Sequence, residues 1–175
     1  MPQMLDPNFS KSLLYICEHN EEGAMGIIIN RPIKLGLNDI LEQLDFETSS
    51  EQQQPIYWGG PVQEERGFII HSAKGKSDKS WESSLIISDD IHLTTSKDII
   101  KAISEDSGPN QFMIALGYAG WGDGQLEQEL AENTWLSCPA DLDILFDKDS
   151  SNKRQRAING LGVTEHQLNA QIGHA

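Results

Sequence analysis

Cysteine is almost absent from the 175 residues: only Cys17 and Cys138 occur. That excludes a small disulfide-stapled scaffold, and for a chain of this size both thiols are expected free in a reducing compartment. Long hydrophobic runs are also missing. The longest, Gly26 to Asn30 and Phe112 to Leu116, fall far short of the roughly eighteen residues a membrane-spanning helix needs. Met1 to Ser10 carry Pro2, Asp6 and Pro7 and no basic start followed by an apolar block, so no signal peptide is read there and the expected location is the cytoplasm. Basic side chains are scarce as well. Lys and Arg total 13 against 27 Asp and Glu, a formal net charge of -14. Direct nucleic-acid binding depends on cations that release phosphate counterions, so this balance excludes it as an expectation. The few basic residues that gather are Lys74, Lys76 and Lys79 in a Ser/Gly loop, and Lys153, Arg154 and Arg156; both groups read as solvated faces.

Familiar catalytic signatures are missing too. There is no GxSxG elbow, no HExxH helix, no CxxC pair and no Walker sequence, which removes the commoner hydrolase, zinc-protease, redox and phosphate-loop readings. No cofactor and no metal are expected. Glu18, His19, Glu21 and Glu22, or Asp89, Asp90 and His92, supply ligand-type atoms, but such clusters are usually solvated turns.

What is present is a globular composition, 38% hydrophobic and 23% charged, with neither repeat nor linker, so residues 1–175 read as one domain. Ser12 to Ile16 and Gly26 to Asn30 predict a hairpin that Pro32 stops. Asn38 offers an N-cap for a short helix burying Ile40, Leu41 and Leu44. Ile56 to Trp58 and Phe68 to His71 read as strands flanking a Gly59, Gly60, Pro61 turn. Leu85 to Ile87 and Ile91 to Leu93 are further strands, and Ser96 caps a helix with Ile99, Ile100 and Ile103 on one face. Phe112 to Leu116 reads as a buried central strand feeding a glycine loop, Gly117 to Gly124, which opens a helix over Gln125 to Asn133. Trp135 to Cys138 and Leu142 to Phe146 are the last strand candidates, before a helix from about Asn152 to Leu161. Strands interrupted by single helices, without βαβ alternation, predict an α+β fold.

Two local arrangements invite chemistry. The Gly117 to Gly124 loop places backbone N–H groups at a helix start, as anion sites do, but Asp123, Glu127 and Glu129 oppose an anion there. Cys17 and His19, two apart on a strand end, share a face and would set a thiol beside an imidazole; a buried cysteine and a turn histidine explain the same residues.

Three segments carry a resemblance: LLYICEHNEEGAMGIIINRPI near the start, YWGGPVQEERGFIIHS in the middle and LGYAGWGDGQLEQELAENTWL late, followed by LGV and a terminal GHA. Together they resemble the AlgH/YqgE family over nearly the whole chain. The resemblance implies a compact α+β domain, a bifurcated, barrel-like antiparallel sheet flanked by helices. It also implies two departures. In that family a short apolar strand usually precedes the segment corresponding to Met1 to Phe9, so either one sheet edge lacks its usual partner or the start codon is assigned late; a tryptophan commonly stands in the last helix, where this chain has Arg154 to Arg156.

The family's name is associated with regulation of alginate production, and no reaction or ligand comes with it. Within the resembling segments, Asn30 and Arg31, then Gly59, Gly60 and Gln63, then Trp121, Gln125 and Glu129 are the candidate ligand-binding residues. Gln125 and Glu129 stand one helical turn apart, and Trp121 adds a flat aromatic wall. If these groups converge they line a cleft for a polar, not polyanionic, ligand. The expectation is a non-enzymatic regulatory or binding protein with a protein or small-molecule partner; the alternative is an enzyme using the same cleft.

Overall fold

The computed structural model describes residues 6–47, 54–73 and 80–162. The described elements run β1 (Leu14–Asn20), β2 (Gly23–Ile28), β3 (Pro32–Gly36), α1 (Leu37–Gln43), β4 (Pro55–Trp58), β5 (Val62–Ser72), β6 (Ser84–Ile86) and β7 (Ile91–Thr94). They continue with α2 (Lys97–Ser104), β8 (Phe112–Trp121), α3 (Gln125–Ala131), α4 (Leu142–Leu145) and α5 (Lys153–Gly160). The sheet order is β1-β2-β8-β5-β7-β6, with β4 joining β3 to β8.

The fork lies on β8. Along one side β5 pairs from Val62 opposite Tyr118 to His71 opposite Phe112. On the other side β4 takes Ile114 to Leu116 and β2 takes Ala119 to Trp121. The expected bifurcated, curled sheet of an α+β domain is therefore present. It is antiparallel except for the pair β4 and β8, which is parallel.

Where β8 and β5 are covered on both faces, at Met113 to Ala115 and Phe68 to Ile70, they read as continuous apolar runs and not as alternating ones. Successive residues enter different cores. Met113, Ala115 and Ile70 pack with Ile27, Tyr57, Phe68 and Leu145, whereas Ile114 and Ile69 pack with Leu37 and Leu41 of α1 and Ile99 and Ile103 of α2.

Several expectations change. The segment Gly117 to Trp121 is strand, not loop, because β2 and β5 supply its ladder; the turn is only Gly122 to Gly124. Pro32 begins β3, where it stands opposite Tyr57. Gly36, not Asn38, is the N-cap of α1, and Asp39 Oδ2 accepts its N–H at 2.7 Å; Leu37 and Leu41 are the residues this helix buries fully. Trp135 to Cys138 form no strand, and Leu142 to Leu145 are helix, capped by Asp141 through the N–H groups of Asp143 and Ile144. The Lys74 to Lys79 loop and the LGV and GHA matches, apart from Leu161 and Gly162, lie outside the described residues.

Gly59 and Gly60 do not close a hairpin, because β4 and β5 lie on opposite sides of β8. The chain crosses β8 there, backbone against backbone. A Cβ on Gly60, whose φ is +151°, would sit 2.2 Å from the Tyr118 carbonyl carbon, and one on Gly117 would sit 2.2 Å from the Gly60 oxygen. Only glycine fits such a crossing.

Candidate functional site

The eight residues singled out from sequence fall into separate clusters. Trp121, Gln125 and Glu129 do meet. Gln125 Oε1 accepts the Gly122 N–H at 3.0 Å, and its Nε2 donates to Glu129 Oε1 at 2.9 Å. Glu129 Oε2 accepts two indole N–H groups, from Trp121 at 2.9 Å and Trp135 at 2.7 Å. Burial alone would raise the Glu129 carboxyl, but the hydrogen bonds from Trp135, Gln125 and Trp121 hold it below the ordinary range. Trp121 is buried and stacks edge-on with Trp135 at 6.0 Å, so it is an element of the core and not a mobile cover.

Asn30 and Arg31 serve the N-terminal segment. Asn30 accepts the Leu13 N–H at 2.8 Å and donates to the Lys11 carbonyl at 3.0 Å. Arg31 donates to the Ser10 and Pro7 carbonyls at 2.7 and 3.3 Å and lies over the Trp58 ring. Gly59 and Gly60 form the crossing over β8, and Gln63, at φ +51°, borders a second hollow with Arg66, Ser84 and Tyr118. Among the described residues, neither of the two hollows is lined by both halves of the expected cleft.

The second hollow measures about 440 Å³, and a groove of about 270 Å³ lies elsewhere and shares only Trp121 with the expected set. Its walls are residues 12–16, Leu126 and Leu130 of α3, residues 135–141, and Ile144, Leu145 and Ala157. Ile16 and Leu136, among the most exposed large apolar side chains at 39% and 41%, stand on it. Among the described residues Asp141 is its one charged lining residue. Sequence periodicity missed this site because residues 135–141 are irregular and β1 contributes its edge, neither of which leaves a repeating pattern.

Other candidate chemistry resolves as follows. A β-bulge between Ile16 and Glu18 breaks the alternation of β1, so Cys17 is buried while His19 is exposed and bonds Glu127 at 2.5 Å. Burial, with Glu18 adding to it, pushes the Cys17 thiol up to about 12, against the thiolate form. Cys17 and Cys138 form no bridge. Among the described residues no group of three metal-ligand side chains is gathered.

Two polar features escaped the sequence reading. His71 is buried and donates from Nδ1 to the Ser72 carbonyl at 2.9 Å, so its Nε2 accepts from Thr94 Oγ1 at 2.8 Å; Ser84 Oγ lies 2.7 Å from Thr94 Oγ1 and donates to the Trp81 carbonyl at 3.1 Å. Burial pushes the His71 imidazole down, keeping it neutral. Lys153, expected on a solvated face, is fully buried, with Nζ donating to the Leu145 carbonyl at 2.9 Å. Its place four residues before Ala157, on the inward face of α5, is the signal that marks it.

The chain matches, over residues 1–166, the family described as AlgH-like. A UPF0301 protein of Thioalkalivibrio sulfidiphilus is 49% identical over 176 residues, covering 100% of this chain and 92% of that protein. One from Pseudomonas putida is 51% identical over 178 residues with the same coverage. The solution structure of the AlgH protein from Pseudomonas aeruginosa superposes with a TM-score of 0.79 at 47% identity, over 100% of this chain and 92% of that one. An X-ray structure of a Corynebacterium diphtheriae protein shares the fold at TM-score 0.68 and 18% identity, over 90% and 81% of the two chains. With the forked sheet and full-length identity near one half, this chain belongs to the AlgH-like family.

Proposed function

We propose that the chain is a non-enzymatic, cytoplasmic regulatory or binding protein whose site is the groove between β1 and residues 135–141, acting through a protein or small-molecule partner. The observation that carries this reading is the groove's apolar wall, with Ile16 and Leu136 left on its rim at 39% and 41% exposure. Apolar side chains at an open hollow favour an occupant that removes them from water. Titration with the neutral apolar dye Nile red tests it. Trp121 and Trp135 line the hollow, so binding quenches their emission as the dye brightens. Leu136→Asp, on an exposed position, is expected to weaken uptake about tenfold, since a charge replaces apolar contact. Equal uptake by both proteins, or none by either, overturns the reading.

The rival reading, an enzyme, has one observation in its favour. Ser84, Thr94 and neutral His71 follow one another at hydrogen-bond distance beside the second hollow, and turning the Ser84 hydroxyl from the Trp81 carbonyl to Thr94 would let His71 draw its proton. Labelling of Ser84 by a fluorophosphonate, lost in His71→Gln, would support it. Unlabelled Ser84 removes it.

A further inference from the structure

Besides Trp121 and residues of α3, α4 and α5, the groove takes two walls from consecutive residues, 12–16 and 135–141. Successive strand residues point to opposite faces of a sheet, so a wall built from neighbours in sequence is the edge of the strand and not one of its faces.

The register tells which backbone groups that edge presents. Leu13 is turned toward β2, since its carbonyl accepts the Ile29 N–H at 2.9 Å and its own N–H goes to Asn30 at 2.8 Å. In an antiparallel pair, alternate residues direct both main-chain groups at the partner. Tyr15, opposite Ile27, therefore also faces β2, and Leu14 and Ile16 direct their N–H and C=O groups outward, into the groove. β1 ends the sheet order, and among the described residues no strand pairs with its outer side. Residues 135–141 across the gap have no regular structure.

An unpaired strand edge beside an apolar hollow needs donors and acceptors alternating at strand spacing, together with apolar side chains. A peptide backbone supplies both; a compact small molecule supplies only the second. Charge selects further. Asp141 is the one charged residue in the wall among the described residues, and the chain carries a formal charge of -14, so a cationic segment is attracted while a second copy of this chain is repelled.

We infer that the groove receives an extended, apolar, cation-flanked segment of a protein partner, which adds to the sheet as a strand beside β1 and pairs with Leu14 and Ile16. This rests on the reading that the groove is the binding site, and it adds the class of partner and the mode of recognition.

The test uses the full chain and three synthetic peptides. The first is acetyl-Lys-Phe-Val-Ile-Val-Lys-amide, the second carries N-methyl groups on alternate amides, and the third has Glu in place of both Lys. Binding is read from tryptophan emission, and amide hydrogen exchange at Leu14 and Ile16 is read by NMR. The first peptide is expected to bind and to slow exchange at both amides at least about tenfold. The methylated and acidic peptides are each expected to bind at least about tenfold more weakly. Binding without protection of Leu14 and Ile16, or equal binding by the methylated peptide, overturns the inference. Failure of all three peptides while Nile red still enters also overturns it but leaves the groove as a binding site; failure of both probes removes both. If light scattering shows a dimer in which these amides are already protected, the occupant is a second copy and the inference is wrong.

Discussion

Lys153 and Tyr57 meet inside the protein: the ammonium nitrogen lies 4.9 Å from the centroid of the phenol ring, and the two side chains are 0% and 1% exposed. Burial holds the Lys153 ammonium down to about 8, with Asp147 opposing the shift and Arg156 adding to it. The unfolded chain therefore binds more protons than the folded one between about pH 8 and the ordinary lysine value, and stability from this group rises with pH across that window. Burial pushes Tyr57 and Cys17 each up to about 12, and their contribution falls as pH rises above the ordinary phenol and thiol values. Comparison with Lys153→Met separates the terms. From pH 8 upward the wild type is expected to gain on the variant by an amount on the order of 3 kcal/mol in urea unfolding. A difference independent of pH would show that Lys153 is not a buried cation.

Glu129 holds two indole N–H groups on one oxygen, so Glu129→Ala strands both. The expected loss is about 1–3 kcal/mol, the penalty for leaving buried donors unpaired. Gln125→Ala, at an exposed position, is expected to cost no more than about 0.5 kcal/mol. Equal effects in chemical denaturation would deny the two residues their different roles.

Gly60→Ala is expected to disrupt folding or cost more than about 3 kcal/mol, because its Cβ would overlap the β8 backbone. Gly124→Ala is the control. Its φ is +65° but its surroundings are open, so it should cost only about 1 kcal/mol. Soluble yield and thermal midpoints decide; a tolerated Gly60→Ala defeats the crossing argument.

Cys138 is exposed and Cys17 buried. Native alkylation without reductant should modify Cys138 alone, and denaturation should release Cys17. Rapid labelling of Cys17 in the native protein, seen by peptide mass spectrometry, would contradict its burial.

Direct binding to duplex DNA is not expected at a formal charge of -14. Fluorescence anisotropy at near-physiological salt should show no saturable binding tighter than about 1 µM, the tight limit of ordinary non-specific association. A saturable isotherm below that value would reverse this expectation.

The sequence by itself determined the apolar segments that became β2, β5, β7 and β8, the inward face of α2 and the acidic surface. These depend on local spacing and composition, and the family motifs added the forked sheet. The tertiary structure alone decided that Gly117 to Trp121 is strand, that residues 142–145 are helix, that Lys153 lies inside, and that Arg31 grips the N-terminal segment. It also placed the groove along β1, away from the polar residues that looked functional. The physical reason is that strand pairing, crossing and burial are settled by neighbours distant in sequence: Ala119 is a strand residue because Gly26 lies opposite it, and Lys153 is buried because Tyr57 and the Leu145 carbonyl receive it.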